Sequence, residues 1–344
     1  MEFCGFRLPD GRDQGNGAVF RMVEISIFLL KNRHYDIEGA KVIPQQGGWS
    51  ALAFKAGTAH QDYFLKMYEK SRASTPKWTA LIDNYVPVLL WLLRHSGLKG
   101  KIPVPLLTKS GHYQCEDENG IYLMYEYIHG AAIGGNALTT EQVCQLADIM
   151  GELHRYGEDI PLATDALKED FQVPFARSLK EFWQQEHEAV PGDVRERINP
   201  YREQILALVD SVEKRAERLK NSNIRLALCH TDIHPWNMMQ SGQQLVLIDW
   251  EGLKLAPVEA DMMFLVDEPF FESFIRIYRK RHPDYAVDAD ALQFYQGRRK
   301  LEDIWEFLEQ LVYDGQDAPA REETLAHLNE ELRDLSNSIA TYVK

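Results

Sequence analysis

The chain has 344 residues, 45% of them hydrophobic and 26% charged. This is too long for one small domain and points to two lobes of ~100–200 residues each. Its 52 acidic and 38 basic side chains leave a formal charge of −14, which argues against a protein that works by nonspecific attraction to nucleic-acid phosphates and favours cationic partners. From His230 to Lys344 there are 22 acids against 11 bases, net −11, so most of the excess negative charge lies in the C-terminal third.

Residues 1–22 carry scattered glycines and charges without a periodic apolar face, and read as a loose leader. Val23, Ile27 and Leu30 then suit a short amphipathic helix. Between Val42 and Tyr68 strand-forming residues alternate around the turn Gln45–Ser50, as in an antiparallel meander. A helix is expected from about Lys77 to Ser96, and a further strand pair around Tyr113–Cys115 and Ile121–Ile128. Residues 23–125 thus form a small β-rich lobe with one main helix, and 126–130 a hinge.

From residue 131 to 344 the pattern turns helical. Thr139 and Gln142 form a capping box ahead of Val143, Leu146, Met150 and Leu153 at helical spacing. Helices follow at 176–190 and 200–220, then a β-hairpin over 236–249 turning at Ser241-Gly242, then acidic helices from about 270. The four cysteines, Cys4, Cys115, Cys144 and Cys229, form no CxxC pair and follow no secretion signal, so a reducing cytoplasm is the expected location. No apolar run approaches the ~20 residues needed to span a bilayer.

The segment His230-Thr231-Asp232-Ile233-His234-Pro235-Trp236-Asn237 carries the chemistry, because its H-x-D-x-x-x-x-N order is that of a kinase catalytic loop. There a carboxylate, Asp232, meets the acceptor hydroxyl, and an amide oxygen five residues on, Asn237, turns to a magnesium ion on the nucleotide phosphates. Across the hairpin Leu245, Leu247 and Asp249 share a strand face by period two, bringing Asp249 beside Asn237 as a second oxygen ligand. Without this chemistry His230 would be a core histidine and Asp232 a loop cap. Lys66, a cation inside the apolar run Tyr63–Met67, needs an anion such as nucleotide phosphate to offset its burial. Gly47, Gly48 and Ser50 could cover the phosphates with backbone N–H groups, or be an ordinary hairpin turn. The main chain of Glu126 and Ile128, in the segment joining the lobes, could pair with adenine.

These residues give the chain a resemblance to the aminoglycoside phosphotransferase family over residues 23–313, through His230–Asn237 and Leu247-Ile248-Asp249-Trp250-Glu251. It is most similar to the spectinomycin (aminocyclitol) branch, through Leu228-Cys229-His230, Leu255-Ala256-Pro257, Asp261-Met262-Met263-Phe264 and Leu301-Glu302-Asp303-Ile304. The resemblance implies an α+β, protein-kinase-like fold: a small N-terminal antiparallel β-lobe with one main helix, and a larger, mostly helical C-terminal lobe. It also implies ATP as donor, with GTP left open, and Mg2+ as cofactor. Asp232 is then the catalytic carboxylate, Asn237 and Asp249 the metal ligands, and Lys66 the contact to the α/β-phosphates, with His230 and Asp261 bracing the loop. The family places a Glu on the helix after Lys66, but residues 84–93 contain no acid, which makes Asp83 the nearest candidate partner. The run Asp267-Glu268-Pro269-Phe270-Phe271 also replaces a Gly-rich segment expected in spectinomycin enzymes.

Asp249 is followed within eight residues by Pro257, which leaves no room for the long segment on which protein substrates dock, so the acceptor is expected to be a small molecule. Acids at Asp267, Glu268, Glu302, Asp303, Glu306 and Glu309 suit a cationic, hydroxyl-bearing acceptor, although acidic helix faces are often merely solvated. The expected activity is phosphorylation of an aminocyclitol or aminoglycoside antibiotic, giving resistance by inactivation. The alternatives are a metabolic kinase for choline, homoserine or an amino sugar, and a catalytically dead nucleotide-binding protein. A monomer or weak dimer with no nucleic-acid or membrane partner is expected.

Overall fold

The computed structural model describes residues 34–35, 37, 41–45, 50–183 and 190–342. In chain order the strands are β1 (Lys41–Gln45), β2 (Leu52–Gly57), β3 (Asp62–Glu69), β4 (Cys115–Glu116), β5 (Gly120–Glu126), β6 (Ala131–Ala132), β7 (Ala227–Cys229), β8 (Met238–Ser241), β9 (Gln244–Leu247) and β10 (Lys254–Ala256). The helices are α1 (Thr75–Thr79), α2 (Ile82–His95), α3 (Thr140–Leu153), α4 (Pro174–Phe182), α5 (Gly192–Ile198), α6 (Arg202–Lys220), α7 (Glu259–Met262), α8 (Phe271–Tyr278), α9 (Ala289–Tyr313) and α10 (Ala318–Tyr342). The helix expected at 23–30 and the turn residues 46–49 lie outside the described residues.

The chain divides into two compact units. The first comprises Met1–Ser71, Thr75–Glu152 and Ile233–Gly252; the second comprises Arg72–Ser74, Leu153–Asp232 and Leu253–Lys344.

The first unit is built on an antiparallel sheet of order β1-β2-β3-β5-β4. The aromatic and branched run of β3 suits a central strand, and its period of two sends Leu65 and Met67 into a core with Phe54, Ala56, Cys115, Tyr122 and Met124. Lys66 and Tyr68 therefore face the other side. The single helix expected over 77–96 is two helices. The Thr79 hydroxyl donates back to the Thr75 carbonyl at 2.9 Å, the kind of local bond that competes with helix propagation, and the longer α2 restarts at Ile82. Its buried stripe is Ile82, Tyr85, Val86, Leu89 and Leu92, at helical spacing.

This unit also takes in residues 131–152 and 233–252, which the sequence pattern assigns to the helical lobe. Specific hydrogen bonds are the reason. The Gln145 side chain accepts from Leu245 N at 2.8 Å and donates to the Gln243 carbonyl at 2.9 Å, and Leu247 N donates to the Lys101 carbonyl at 2.9 Å. They fasten the β8–β9 hairpin to α3 and to the segment after α2. β6 adds to the same small sheet by pairing with β8. At Gly130 a Cβ would fall 2.2 Å from the Gln240 carbonyl oxygen, so this close approach of backbones admits only glycine. The capping box of α3 is present: Thr139 N donates to Gln142 Oε1 at 2.9 Å, and Gln142 N to Thr139 Oγ1 at 3.3 Å.

The second unit is mainly helical, with α6, α9 and α10 packing about a core that includes Leu208, Val212, Phe294, Leu301, Ile304, Leu328 and Leu332. The short antiparallel pair β7–β10 runs beneath the residues that precede Asp232. Lys300 is buried between α9 and α10 and meets Glu331 at 2.5 Å and Asp334 at 2.6 Å. Among the described residues no helix is long and apolar enough to cross a membrane.

Candidate active site

Within the first unit, β3 places Lys66 opposite Ala53 on one side and Leu123 on the other, in the middle of the sheet. Its ammonium pairs with Asp249 Oδ1 at 3.2 Å and with Glu251, which also accepts from the Tyr68 hydroxyl. Burial works to lower the Lys66 pKa, but the Asp249 and Glu251 charges outweigh it and hold the amine above its ordinary value. Glu251 is likewise shifted: burial pushes it up, and the Lys66 charge, with hydrogen bonds from Lys66 and Tyr68, brings it below the usual carboxylate range. Asp83, the acid expected to hold Lys66, is instead exposed on α2. The partners come from the segment after the hairpin, and the inward position on α2 is filled by Tyr85.

Asp249 does not continue the face of β9. The strand ends at Leu247, and its residues Leu245, Val246 and Leu247 are all buried, so period two does not distinguish its faces. Asp249 follows in the left-handed region at φ +64°, leading into the 3-10 turn Trp250–Gly252. An L-residue held there costs energy and persists only where its surroundings enforce it. Asn237 closes the 3-10 turn Pro235–Asn237 just before β8, is buried, and its carbonyl accepts from Ile248 N at 3.0 Å. The hairpin therefore sets the backbones of Asn237 and Ile248 side by side.

Asn237, Asp249 and Glu251 could hold a metal. All three offer oxygen, and two carboxylates against one ammonium leave a net negative charge, the chemistry suited to a hard divalent cation such as Mg2+. Ser50 stands just before β2, while Gly47 and Gly48 lie outside the described residues. Glu126 ends β5, paired with Tyr63, and Tyr127 N donates to the Asp62 carbonyl at 3.1 Å, which carries the pairing one residue past the strand and up to Ile128.

Within the second unit, the loop after β7 is organised by Asp261, which is fully buried on α7. Its carboxylate accepts from His230 N at 3.0 Å, from Thr231 N at 2.5 Å and from His154 Nε2 at 2.9 Å. The second nitrogen of His154, Nδ1, lies 2.8 Å from the Tyr278 hydroxyl. These bonds hold Thr231 at φ +72°, a rare conformation for a β-branched residue. Asp232 follows directly, and its backbone N–H donates to His230 Nδ1 at 3.3 Å. Ligand atoms of His154, Cys229 and Asp261 lie within 4.8 Å of one another. Those of Asp261 and His154 are engaged in the bonds just described, however, and burial pushes the Cys229 thiol up, so this is a hydrogen-bonded brace.

Asp303, expected to meet the acceptor, pairs with Arg299 Nε at 2.8 Å, and Arg299 Nη1 donates to Asp232 Oδ1 at 2.8 Å. Asp267 and Glu268 are exposed in the turn ahead of α8, and Glu306 is half-buried on α9. Among the residues that sequence reasoning missed are Glu251 and Arg299. The first had a signal, the acid two positions after Asp249 in Asp-Trp-Glu; the second had only its i,i+4 spacing to Asp303.

A search of curated proteins found no match to the chain. The model of a phosphotransferase enzyme family, however, matches residues 41–291. The chain belongs to the phosphotransferase enzyme family. It is a kinase of small molecules, and it has the kinase-like fold of several solved structures. A spectinomycin phosphotransferase, APH(9)-Ia, in complex with ADP and spectinomycin is 22% identical with a TM-score of 0.71, covering 92% of this chain and 98% of that one. A microcompartment-associated aminopropanol kinase is 13% identical with a TM-score of 0.63, covering 93% and 98%. The choline kinase LicA from Streptococcus pneumoniae is 18% identical with a TM-score of 0.59, covering 92% and 99%.

Proposed function

We propose that this phosphotransferase moves the γ-phosphoryl group of ATP to a hydroxyl of a small, amine-bearing acceptor, with an aminocyclitol or aminoglycoside antibiotic as the first reading. The carrying observation is the buried central-strand Lys66, matched by Asp249 and Glu251 from the segment that follows the H-x-D-x-x-x-x-N motif. Phosphoryl transfer asks the protein mainly for positioning and charge neutralisation, and this residue set suits that demand. The preference for an amine draws on the net −11 beyond His230 and on the spectinomycin named for one structural neighbour.

In this reading Lys66 binds the α/β-phosphates, and Glu251 and Tyr68 keep its ammonium aimed and charged. The main chain of Glu126 and Ile128 meets the adenine, and the backbone N–H groups of Gly47, Gly48 and Ser50 are the candidates to bind the phosphates. Asn237 and Asp249 hold magnesium, which when bound neutralises phosphate oxygens. Asp232 orients the acceptor hydroxyl and takes its proton late, once the attacking oxygen has become acidic. Asp261 and His230 hold the loop so that Asp232 keeps its direction, and acids such as Asp267, Glu268 and Glu306 attract the amine. A second reading, a metabolic kinase of an amino alcohol, has support in the aminopropanol and choline kinases among the structural neighbours.

The test is ATP consumption in the presence of Mg2+ with spectinomycin, hygromycin B, choline, aminopropanol and homoserine in turn. Stimulation by an amine-bearing alcohol, abolished in Asp232→Ala with ATP affinity retained, is the expected result. Stimulation by none of them, or an Asp232→Ala variant that keeps most of its turnover, would sink the proposal.

A further inference from the structure

Arg299 on α9 is held from three directions. Its Nη1 donates to Asp232 Oδ1 at 2.8 Å, its Nε pairs with Asp303 Oδ1 at 2.8 Å one helical turn on, and its guanidinium carbon lies 5.3 Å from the centroid of the Phe264 ring. The side chains of Arg299, Asp303 and Asp232 are 27%, 18% and 29% exposed, so the chain of charges is partly screened from water rather than spread on the surface. Burial opposes the Arg299 charge, but Asp303, Asp232 and Glu302 outweigh it and keep the guanidinium firmly protonated.

A surface i,i+4 pair needs only its two members, and many such pairs contribute nothing measurable. This one differs because the arginine reaches beyond its helix to the acid that follows the strained Thr231. Asp261 and the left-handed turn fix the backbone that leads into Asp232, whereas the Arg299 bond is made to the Asp232 carboxylate itself. A guanidinium can donate to that carboxylate through Nη1 while its delocalised charge pairs with Asp303 and stands over the Phe264 ring, which the compact ammonium of a lysine does not reproduce.

We propose that Arg299, clamped by Asp303 and Phe264, is the positioning residue that sets the carboxylate of Asp232 for the acceptor hydroxyl. The proposal rests on the phosphotransferase reading above, in which Asp232 faces that hydroxyl. It also reassigns Asp303: its carboxylate serves the arginine, and the acceptor amine is met elsewhere. Arg299 acts through Asp232, by holding the plane of its carboxylate.

The two roles open to Asp303 separate in steady-state kinetics. A clamp acts on kcat, while an amine contact acts on the acceptor KM. The experiment measures kcat, both KM values and Tm for wild type, Arg299→Ala, Arg299→Lys, Asp303→Asn and Asp232→Ala, with the acceptor from the panel that gives the fastest turnover. Misplacing a reacting group by about 1 Å costs about 100-fold, and that is the expected fall in kcat for Arg299→Ala, with both KM values within about twofold of wild type. Asp303→Asn is expected to lose about tenfold in kcat, as a loosened guanidinium misplaces Asp232 less than a missing one. Arg299→Lys is expected to stay low, and added methylguanidine to raise the kcat of Arg299→Ala but not of Asp232→Ala.

Three results would overturn the proposal while leaving the phosphotransferase reading intact. They are near-wild-type kcat in Arg299→Ala, a raised acceptor KM at unchanged kcat in either variant, and a loss of kcat that follows falling Tm and ATP affinity with no response to methylguanidine. Absence of stimulation by every acceptor of the panel, or an Asp232→Ala variant that keeps most of its turnover, overturns the reading and this proposal with it.

Discussion

The clusters around Lys66 and around Asp261 both join residues far apart in sequence, yet their groups are satisfied differently. Lys66 is one cation facing two carboxylates, Asp249 and Glu251, so a negative charge is left over. Asp261 is one carboxylate facing two backbone N–H groups and a histidine, so both of its oxygens are engaged by donors of its own unit. An unbalanced cluster is suited to receive a ligand that completes it, whereas a balanced one holds a shape. Removing a partner should therefore affect stability most in the second cluster and activity most in the first.

The largest stability effect is expected from Asp261→Ala. It strips three donors of their acceptor, and the loss of a buried charged partner costs about 3–5 kcal/mol. A drop in Tm on the order of 10 °C should be seen by calorimetry; a drop within error would mean that the loop after β7 is held by other contacts.

Next comes Lys66→Met, which leaves Asp249 and Glu251 facing each other and is expected to cost about 3 kcal/mol together with ATP binding. Adding Glu251→Gln should then recover about 1–2 kcal/mol of stability without recovering activity, a coupling that a double-mutant cycle by urea unfolding would measure. Additive effects would show that the two side chains are not a pair.

Thr231→Gly should act in the opposite direction. Glycine removes a left-handed penalty of about 1–2 kcal/mol, partly offset by the larger unfolded-state entropy of glycine. A small gain in Tm is expected, together with reduced turnover because the direction of Asp232 is less fixed. A loss of stability would show that the Thr231 side chain contributes more than its backbone costs.

The smallest effect should lie at Glu259, buried on α7, where it accepts from Asp288 N at 2.9 Å and from the Tyr285 hydroxyl at 3.2 Å. Burial is the main cause holding its carboxyl above the ordinary value, with the bonds from Asp288, its own backbone and Tyr285 opposing. The folded state therefore binds the proton more tightly than the unfolded one, and stability falls as pH rises from about 4.3 through the raised value. Glu259→Gln should flatten that part of the Tm-versus-pH curve. An unchanged slope would remove Glu259 as its source.

Much of the β-lobe was legible because its cues are local. Alternation marks Asp62–Glu69, the Ser241-Gly242 turn marks the β8–β9 hairpin, and Thr139 with Gln142 marks the start of α3. The pairing of Lys66 was not legible. Counting along α2 leads to Asp83, which is exposed, while the observed partner Glu251 is 185 positions from Lys66. The face of Asp249 was also misread, because period two says nothing once the strand has ended and the next residues turn left-handed.

The spacing His230–Asp232–Asn237 and the later Asp249 determine which chemical groups are available and in what order. They are carried by short stretches of chain whose geometry follows from local turns and strands. Which acid receives Lys66, and that Arg299 holds Asp232 from 67 positions away, was decided only when distant elements packed. Charged side chains choose partners by burial and reach, and no local periodicity in a sequence records either.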